Sequence, residues 1–212
     1  MVPLSLGSEP PELAVYLVGH PHAGPAEFEN DGDFQDTKGA IKAKLNDEQS
    51  GLCVYCEKVL RPIDGHVEHV HPKRGPHADA TRTFVYANLA QSCQGYHKEE
   101  KKRHCGDAKG HLVLTLPPSP GCNEPFVLHD DGLIVPNRAN PTPGLNPDDL
   151  AKQVDETLRL NLSALKAERK GVLDAVKQLP QQERLGFLLG GPFRFIVQQF
   201  PDFSATLQTE VP

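Results

Sequence analysis

The stretch LCVYCEKVLRPIDGHVEHVHPKR, residues 52–74, combines two cysteines with three histidines. Cys53 and Cys56 have the C-x2-C spacing, in which one tight turn presents two thiolates to a tetrahedral zinc ion at about 2.3 Å. One such pair is only suggestive, because a structural zinc site needs four ligands. The fold of this segment therefore depends on whether the rest of the chain supplies a second pair.

The remaining cysteines favour a metal site over disulfides. The chain has five cysteines, and four of them share one segment with several histidines. Cys93 and Cys105 are predicted to complete the zinc site, which would staple a segment rich in loops. Cys122 is interpreted as a free thiol, although it could replace Cys93. Because the second pair is widely spaced, His97 and His104 are also candidates for the fourth ligand.

Size and composition are those of a globular protein with long connections. The 212 residues can bury a core, 38% of them are hydrophobic and 24% charged, and 20 prolines with 18 glycines predict many loops. No stretch approaches the roughly 20 apolar residues of a membrane span, and the first residues lack the features of a signal peptide. We therefore expect a cytoplasmic protein with no membrane partner.

The charge distribution indicates nucleic acid only locally. The formal net charge is −6, which by itself does not favour a nucleic-acid partner. Between residues 73 and 109, however, lysines and arginines outnumber aspartates and glutamates. The positive charge is therefore concentrated beside the histidines.

The order of elements predicts an α+β fold. Residues 1–35, which include the apolar patch LAVYLV at 13–18, are expected to form a loosely structured N-terminal arm with one short element, followed by a helix over about 36–50. Two short strands are predicted at 53–60 and 67–70. Strand alternation puts adjacent side chains on opposite faces, so Glu68 and its neighbour can act together only where the strand ends.

The second half of the chain is predicted to be a hairpin followed by helices. PFVLHDDGLIVP, residues 125–136, has two apolar runs separated by the turn sequence DDG. Asn146 and Pro147 begin a helix whose apolar residues recur up to Val176. A final helix is expected over about 181–200, interrupted by the sequence GGP.

The ordered motifs resemble the HNH endonucleases, which have a ββα-metal core. C-x2-C is followed by Glu-His and proline, then by an asparagine about twenty positions later, and then by the closing segment HCGDAKG. The resemblance narrows to the retron-associated and Septu-type antiphage HNH proteins, which are PtuB-like, and it covers about residues 40–175. The further segments that carry it are LNDEQSGLCVYCEKVL, VEHVHPKR, YANLAQSC, PFVLHDDGLI and TLRLNLSALKAERK.

This resemblance implies a role for each residue of the motif. The histidine of the Glu-His pair is the general base in the family and corresponds to His69, while Glu68 would hold Mg²⁺ or Mn²⁺. Asn88 matches the middle letter, whose amide ties the connecting loop so that the base points at the phosphate. The last position, a histidine or asparagine in most relatives, corresponds by register to Asp107. That departure leaves the third ligand open, with His104 as the alternative.

The same resemblance implies how nucleic acid is held and cut. The ion would stabilise charge on the leaving 3′ oxygen, so that the products carry 5′-phosphate ends. His66, His71 and His77 are interpreted as bystanders or phosphate contacts. The basic residues expected to grip the phosphate backbone are Lys73, Arg74, Lys101, Lys102, Arg103 and Lys109.

The motifs and the order of elements together predict a domain organisation. An arm at 1–35 would precede an HNH core with its zinc site at 36–116, and a hairpin with a helical extension at 117–212 would pack on that core. The implied fold is a ββα-metal core stapled by a zinc site of four cysteines, with flanking helices and long loops.

Two functions are compatible with these motifs. The first is a metal-dependent nuclease that acts in antiphage defence on DNA or transfer RNA, together with a PtuA-like ATPase partner; the partner and the defence role come wholly from the resemblance. The second is a non-catalytic zinc module that binds nucleic acid or protein. A hydrolase that uses the zinc ion itself is disfavoured, because four thiolates close the coordination sphere.

Overall fold

The computed structural model describes residues 1–200 and residue 203. The chain begins with three helices: α1 (Pro11–Gly19), α2 (Pro25–Asn30) and α3 (Phe34–Glu48). The short element expected in the arm at 1–35 is present as α1, but the expectation that the rest of the arm is loosely structured is wrong, because α2 and the start of α3 also lie there. Aromatic side chains of this arm form a compact cluster, with Tyr16 and Phe28 each packed on Phe34. Burial of these rings stabilises the helices. The sequence did not predict them because the arm is rich in prolines, glycines and acidic residues.

Helix α3 leads the chain into the first cysteine pair. It buries Ile41 and Leu45, and the chain turns sharply after it, since Ser50 and Gly51 both have positive φ angles. The predicted strand at 53–60 is absent. Instead, the segment folds back on itself: the amide of Cys53 donates to the carbonyl of Lys58 at 2.8 Å. This tight turn brings the two thiols to one side.

The candidate catalytic residues lie on a two-stranded antiparallel sheet. Strand β1 (His66–His69) agrees with the prediction for 67–70, and it pairs with strand β2 (Leu89–Ser92). In this register Glu68 is opposite Ala90. The connection between the two strands is long, as in a hairpin whose loop carries function.

A second small hairpin and a short helix follow. Strands β3 (Gly95–His97) and β4 (Lys102–His104) pair with each other, and helix α4 (Gly106–Lys109) begins directly after Cys105. Cys105 has a φ of 60°. The chain thus reverses at this cysteine, between β4 and α4.

The C-terminal half largely follows the sequence pattern. Its hairpin is formed by β5 (Phe126–Leu128) and β6 (Ile134–Pro136), as predicted. The Asn146 side chain caps α5 by accepting from the amide of Asp148 at 2.9 Å. The helices of this half are α5 (Pro147–Lys152), α6 (Ser163–Gln178), α7 (Gln181–Gly190) and α8 (Arg194–Val197).

The predicted apolar stripe is nevertheless not one continuous helix. A π-helical turn at Gln153–Thr157 ends the first part, and Arg159 has a φ of 51° before α6 begins. The interruption predicted in the last helix separates α7 from α8. Residues 201–202 and 204–212, the end of the extension expected at 117–212, lie outside the described residues.

Two hydrophobic clusters make up the interior. One lies between α1, α2, α3 and β1, and the other joins the cysteine turn to the C-terminal hairpin and helices. Arg169 is buried in the second cluster, where it donates to the carbonyls of Gly132 and Leu160 at 2.8 Å each. Within the described part of the chain, no helix has both the length and the apolar character needed to cross a bilayer.

Candidate active site

Four cysteines from three places in the chain converge on one point. Cys53 and Cys56 come from the tight turn, Cys93 follows β2 and Cys105 precedes α4, and their sulfurs all lie within 4.8 Å of one another. The sulfurs of Cys56 and Cys93 are 3.8 Å apart. This is the edge expected of a zinc tetrahedron with bonds of about 2.3 Å. The cluster can hold a zinc ion, and these are the four cysteines that the sequence predicts.

Of the three alternative zinc ligands, Cys122 and His97 have other contacts, and His104 lies beside the four cysteines. The sulfur of Cys122 is 3.8 Å from the carbonyl of Met1. His97 accepts from the amide of Glu100 at 3.0 Å. His104 lies beside the cluster, with its Nδ1 atom 3.1 Å from the sulfur of Cys105, so it can donate to a thiolate without replacing one.

Glu68 is a buried carboxylate with partners on both oxygens. Its Oε1 accepts from the ammonium of Lys109 at 2.8 Å and from the Tyr55 hydroxyl at 3.3 Å, and its Oε2 lies 3.1 Å from Nε2 of His66. Burial by itself raises the pKa of Glu68, but the hydrogen bond from His66 and the charge of Lys109 outweigh it. The pKa is therefore lowered, and Glu68 is ionised at neutral pH.

His69 is held in one tautomer. Its Nε2 lies 2.9 Å from the carbonyl oxygen of Thr83, which can only accept, so Nε2 carries the proton. The lone pair is then on Nδ1, which faces the ammonium of Lys73 at 3.3 Å. Burial, and after it the charge of Lys73, lowers the pKa of His69 to about 4. The imidazole is consequently neutral at pH 7 and can accept a proton at Nδ1.

Asn88 ties the ends of the β1–β2 connection together. Its Oδ1 accepts from the amide of His71 at 2.8 Å, and its Nδ2 donates to the carbonyls of His71 and Arg82 at 3.0 and 3.2 Å. Thr83, which orients His69, follows Arg82 directly. The amide of Asn88 thus fixes the loop that fixes the imidazole.

The carboxylate of Asp107 has different partners from the carboxylate of Glu68. Its Oδ2 accepts from Arg103 at 2.9 Å, and its Oδ1 lies 4.0 Å from Nδ1 of His66. The His66 ring therefore lies between the two carboxylates. Sequence reasoning left His66 as a bystander, although strand alternation, which puts residues i and i+2 on one face, places it beside Glu68.

Comparison with known proteins agrees with this arrangement. No protein-family model matches the chain. The chain is 31% identical over 210 residues to a protein of Vibrio cholerae serotype O1 biovar El Tor that bears the name "Retron Vc95 putative HNH endonuclease". The alignment covers 94% of this chain and 98% of the relative. The chain belongs to the retron-associated HNH endonucleases.

Motifs that lie far apart in the sequence come together in the fold. In this HNH protein, the Glu-His pair lies at the end of β1, the asparagine precedes β2, and the closing segment supplies Cys105 and α4. The predicted resemblance to retron-associated HNH endonucleases is confirmed. The narrower Septu-type, PtuB-like relationship stays a prediction.

One basic residue of this HNH protein departs from its expected role. The side chain of Lys109 is 0% exposed and donates to Glu68 and to the carbonyl of His69. It therefore positions the Glu-His pair and cannot grip a phosphate. Lys101, Lys102 and Arg103 are exposed around the β3–β4 turn, as expected of backbone contacts.

A cleft beside β1 contains cations that sequence reasoning missed. Its volume is about 480 Å³, and Lys38 and Lys42 of α3 line it together with Lys73 and His66. In the sequence, these cations are visible only as two lysines one turn apart on a predicted helix. Such a pair ordinarily indicates a solvated helix face. Their approach to β1 depends on tertiary packing.

Helix α2 of this HNH protein covers the face of His69. The rings of Phe28 and His69 are 4.5 Å apart in an edge contact. Glu29 pairs with Arg74 at 2.8 Å and with Lys73 at 3.3 Å. Two of the cations expected to contact phosphate are thus paired with a carboxylate of the protein itself.

Proposed function

We propose that this protein is a metal-dependent endonuclease that hydrolyses phosphodiester bonds of nucleic acid, with His69 as the general base. The observation that carries the proposal is the state of its imidazole: the carbonyl of Thr83 fixes the proton on Nε2, and Nδ1, which faces the ammonium of Lys73, is unprotonated and can take a proton from water. A surface histidine without such partners would not be committed to one tautomer.

Asn88 and Lys109 are positioning residues in this proposal. Asn88 holds the loop that carries Thr83, and Lys109 bridges the carboxylate of Glu68 and the carbonyl of His69. Together they keep the base and the neighbouring carboxylate in register. Such support matters because displacement of a catalytic group by about 1 Å costs on the order of 100-fold in rate.

The residues fit a divalent ion beside Glu68. The carboxylate is ionised, its Oε2 is not taken by Lys109, and a buried nitrogen of His66 has no hydrogen-bond partner within the described part of the chain. Glu68 would hold Mg²⁺ or Mn²⁺, and Asp107 and His66 lie next to it. When bound, such an ion stabilises negative charge on the leaving oxygen of the phosphodiester.

The cleft beside β1 supports a nucleic-acid substrate. Lys38, Lys42 and Lys73 line it, and Lys101, Lys102 and Arg103 add positive charge around the β3–β4 turn. Contacts of this kind grip the phosphate backbone without reading base sequence. DNA and transfer RNA are both substrates of the right class, since the chemistry attacks a phosphodiester in either.

We further propose that the nuclease is an effector of antiphage defence that works with an ATPase partner, as its Septu-type, PtuB-like resemblance implies. The name of its Vibrio cholerae relative supports a retron context. Helix α2 gives a physical reason for a nuclease under control, because it covers the base and neutralises two cations.

The test compares the wild type with His69→Ala and with His129→Ala, a control that removes an exposed histidine of the distant β5–β6 turn. Each protein, at equal zinc content, is incubated with plasmid DNA or total transfer RNA and Mg²⁺ or Mn²⁺. We expect the wild type and His129→Ala to cut and His69→Ala to be inactive. Equal cutting by His69→Ala would remove His69 from the chemistry. Absence of cutting by the wild type, even with its co-expressed ATPase, would favour a zinc module.

A further inference from the structure

The two nitrogens of the His66 ring face different oxygens of the site. Nε2 is 3.1 Å from Oε2 of Glu68, and Nδ1 is 4.0 Å from Oδ1 of Asp107. Nδ1 is buried and has no hydrogen-bond partner among the described residues. A buried nitrogen without a partner is destabilising, so this arrangement calls for a further ligand or a different proton position.

The backbone at Gly106 forms a close cradle for the same two atoms. A Cβ atom at this position would lie 2.6 Å from Oε2 of Glu68 and 2.8 Å from Nε2 of His66. Any other residue type would therefore collide with both. The absent side chain lets the carboxylate oxygen and the imidazole nitrogen come together at the first turn of α4.

From these contacts we infer that His66 is a ligand of the divalent ion, bound through Nε2 next to Oε2 of Glu68, and that Asp107 orients His66 rather than binding the ion itself. The inference rests on the proposed function, whose ion it places. Two adjacent ligands of an octahedral ion with bonds of about 2.1 Å are about 3 Å apart. The separation of 3.1 Å between Nε2 and Oε2 matches this spacing.

Binding of the ion through Nε2 also explains the unpartnered nitrogen. Without an ion, Nε2 is hydrogen-bonded to Glu68, and Nδ1 faces Asp107 with no hydrogen bond among the described residues. With an ion on Nε2, the proton moves to Nδ1 and can be donated to Oδ1 of Asp107. A metal-bound histidine that donates its other nitrogen to a carboxylate is a common arrangement, and it fixes the ring and its tautomer.

The contact with Lys109 gives the two carboxylate oxygens of Glu68 different roles. Its ammonium, with Tyr55, occupies Oε1, and Oε2 remains for the cradle. His104, the other candidate for the third ligand, lies at the sulfur of Cys105 and over Gly95. It is therefore part of the surroundings of the zinc site.

The experiment is a titration of the full-length, zinc-loaded protein with Mn²⁺, followed by electron paramagnetic resonance. The wild type should bind one Mn²⁺ outside the cysteine cluster, and the pulsed spectrum should show coupling to an imidazole nitrogen. His66→Ala should weaken binding by at least about 10-fold and abolish this coupling. Asp107→Asn should weaken binding by about 10-fold and retain the coupling.

Three further variants separate a lost ligand from a damaged fold. His66→Gln keeps a side chain that can donate to Glu68 and should fold like the wild type yet lose the imidazole coupling. Gly106→Ala should fill the cradle and weaken Mn²⁺ binding. His129→Ala should bind like the wild type. Thermal unfolding without added Mn²⁺ checks that each protein is folded.

Each failure has its own signature. Unchanged Mn²⁺ affinity in His66→Ala, a wild-type spectrum without imidazole coupling, or a wild type that binds no Mn²⁺ would overturn the assignment of His66. If the wild type binds Mn²⁺ with the imidazole coupling but cuts no nucleic acid with its partner present, the ligand assignment holds and the nuclease proposal fails.

Discussion

At the scale of single residues, the two candidate metal sites offer different ligands. Four cysteine sulfurs lie around one point, whereas a carboxylate oxygen of Glu68 and an imidazole nitrogen of His66 lie 3.1 Å apart beside Gly106. Thiolates favour zinc, while carboxylates suit Mg²⁺ and Mn²⁺. Each site can therefore be tested by removing one ligand.

The cysteines give the first prediction. Cys105→Ser should lose bound zinc, and the melting temperature should fall by more than about 10 °C, because zinc supplies on the order of 10 kcal/mol of folding free energy in small zinc domains. Cys122→Ser is the matched control, since this buried sulfur contacts the carbonyl of Met1 and not the cluster. Metal analysis and thermal unfolding are the measurements. Full zinc content in Cys105→Ser would contradict the four-cysteine site.

At the scale of elements, helix α2 connects the N-terminal region to the candidate active site, because its side chains contact His69, Lys73 and Arg74. Glu29→Gln should release Lys73 and Arg74 from their shared carboxylate. We expect about 3- to 10-fold tighter binding to a duplex oligonucleotide at low salt, with a salt dependence steeper by about one phosphate contact. Fluorescence anisotropy without added divalent ions measures both quantities.

The control for this prediction is Glu12→Gln, which removes the same charge from the exposed side of α1. If both variants bind equally well, the gain comes from net charge alone and α2 does not compete with phosphate.

The contact between α1 and the loop that follows α2 predicts a dependence on alkaline pH. The Tyr16 hydroxyl donates to Asp31 at 2.6 Å, and burial, with this bond, raises the pKa of Tyr16 well above its usual value near 10. The unfolded chain therefore releases this proton at lower pH than the native protein, so the native state holds more protons above about pH 10. The free energy of unfolding must then fall as the pH rises through this range.

Tyr16→Phe removes this contribution. Between pH 8 and pH 11, urea unfolding should show a smaller loss of stability in Tyr16→Phe than in the wild type. Equal losses in the two proteins would mean that Tyr16 ionises as easily in the folded state as in the unfolded one.

At the scale of the whole molecule, the sequence predicted the elements that are fixed locally and missed those fixed by packing. The cap at Asn146, the β5–β6 turn and β1 have short-range signals. The N-terminal helices are stabilised instead by rings that contact across the chain, and the strand expected at 53–60 yields to a turn that four thiolates require. From the sequence, Lys109 is predicted to be a surface charge, but the fold buries it against Glu68.

Glu57 shows how the zinc turn is joined to the far end of the described chain. Its buried Oε2 accepts from the amides of Phe195 and Ile196 at 3.0 and 3.3 Å, at the start of α8, while Oε1 pairs with the Met1 ammonium at 2.8 Å. Glu57→Ala leaves the two amides buried without an acceptor and removes the negative partner of the Met1 ammonium, which keeps its hydrogen bond to Asn123. The free energy of unfolding should fall by about 3 kcal/mol or more, because removal of one partner strands a buried charge.

The matched control is Glu168→Ala, which breaks the ion pair with Lys58 at 2.9 Å. Both side chains of that pair are about two-fifths exposed, so its loss should cost less than about 1 kcal/mol. Denaturant unfolding at constant zinc content measures both variants. If Glu57→Ala were no more destabilising than Glu168→Ala, the zinc turn and α8 would be stabilised independently, and the C-terminal helices would not depend on the metal-bearing half of the molecule.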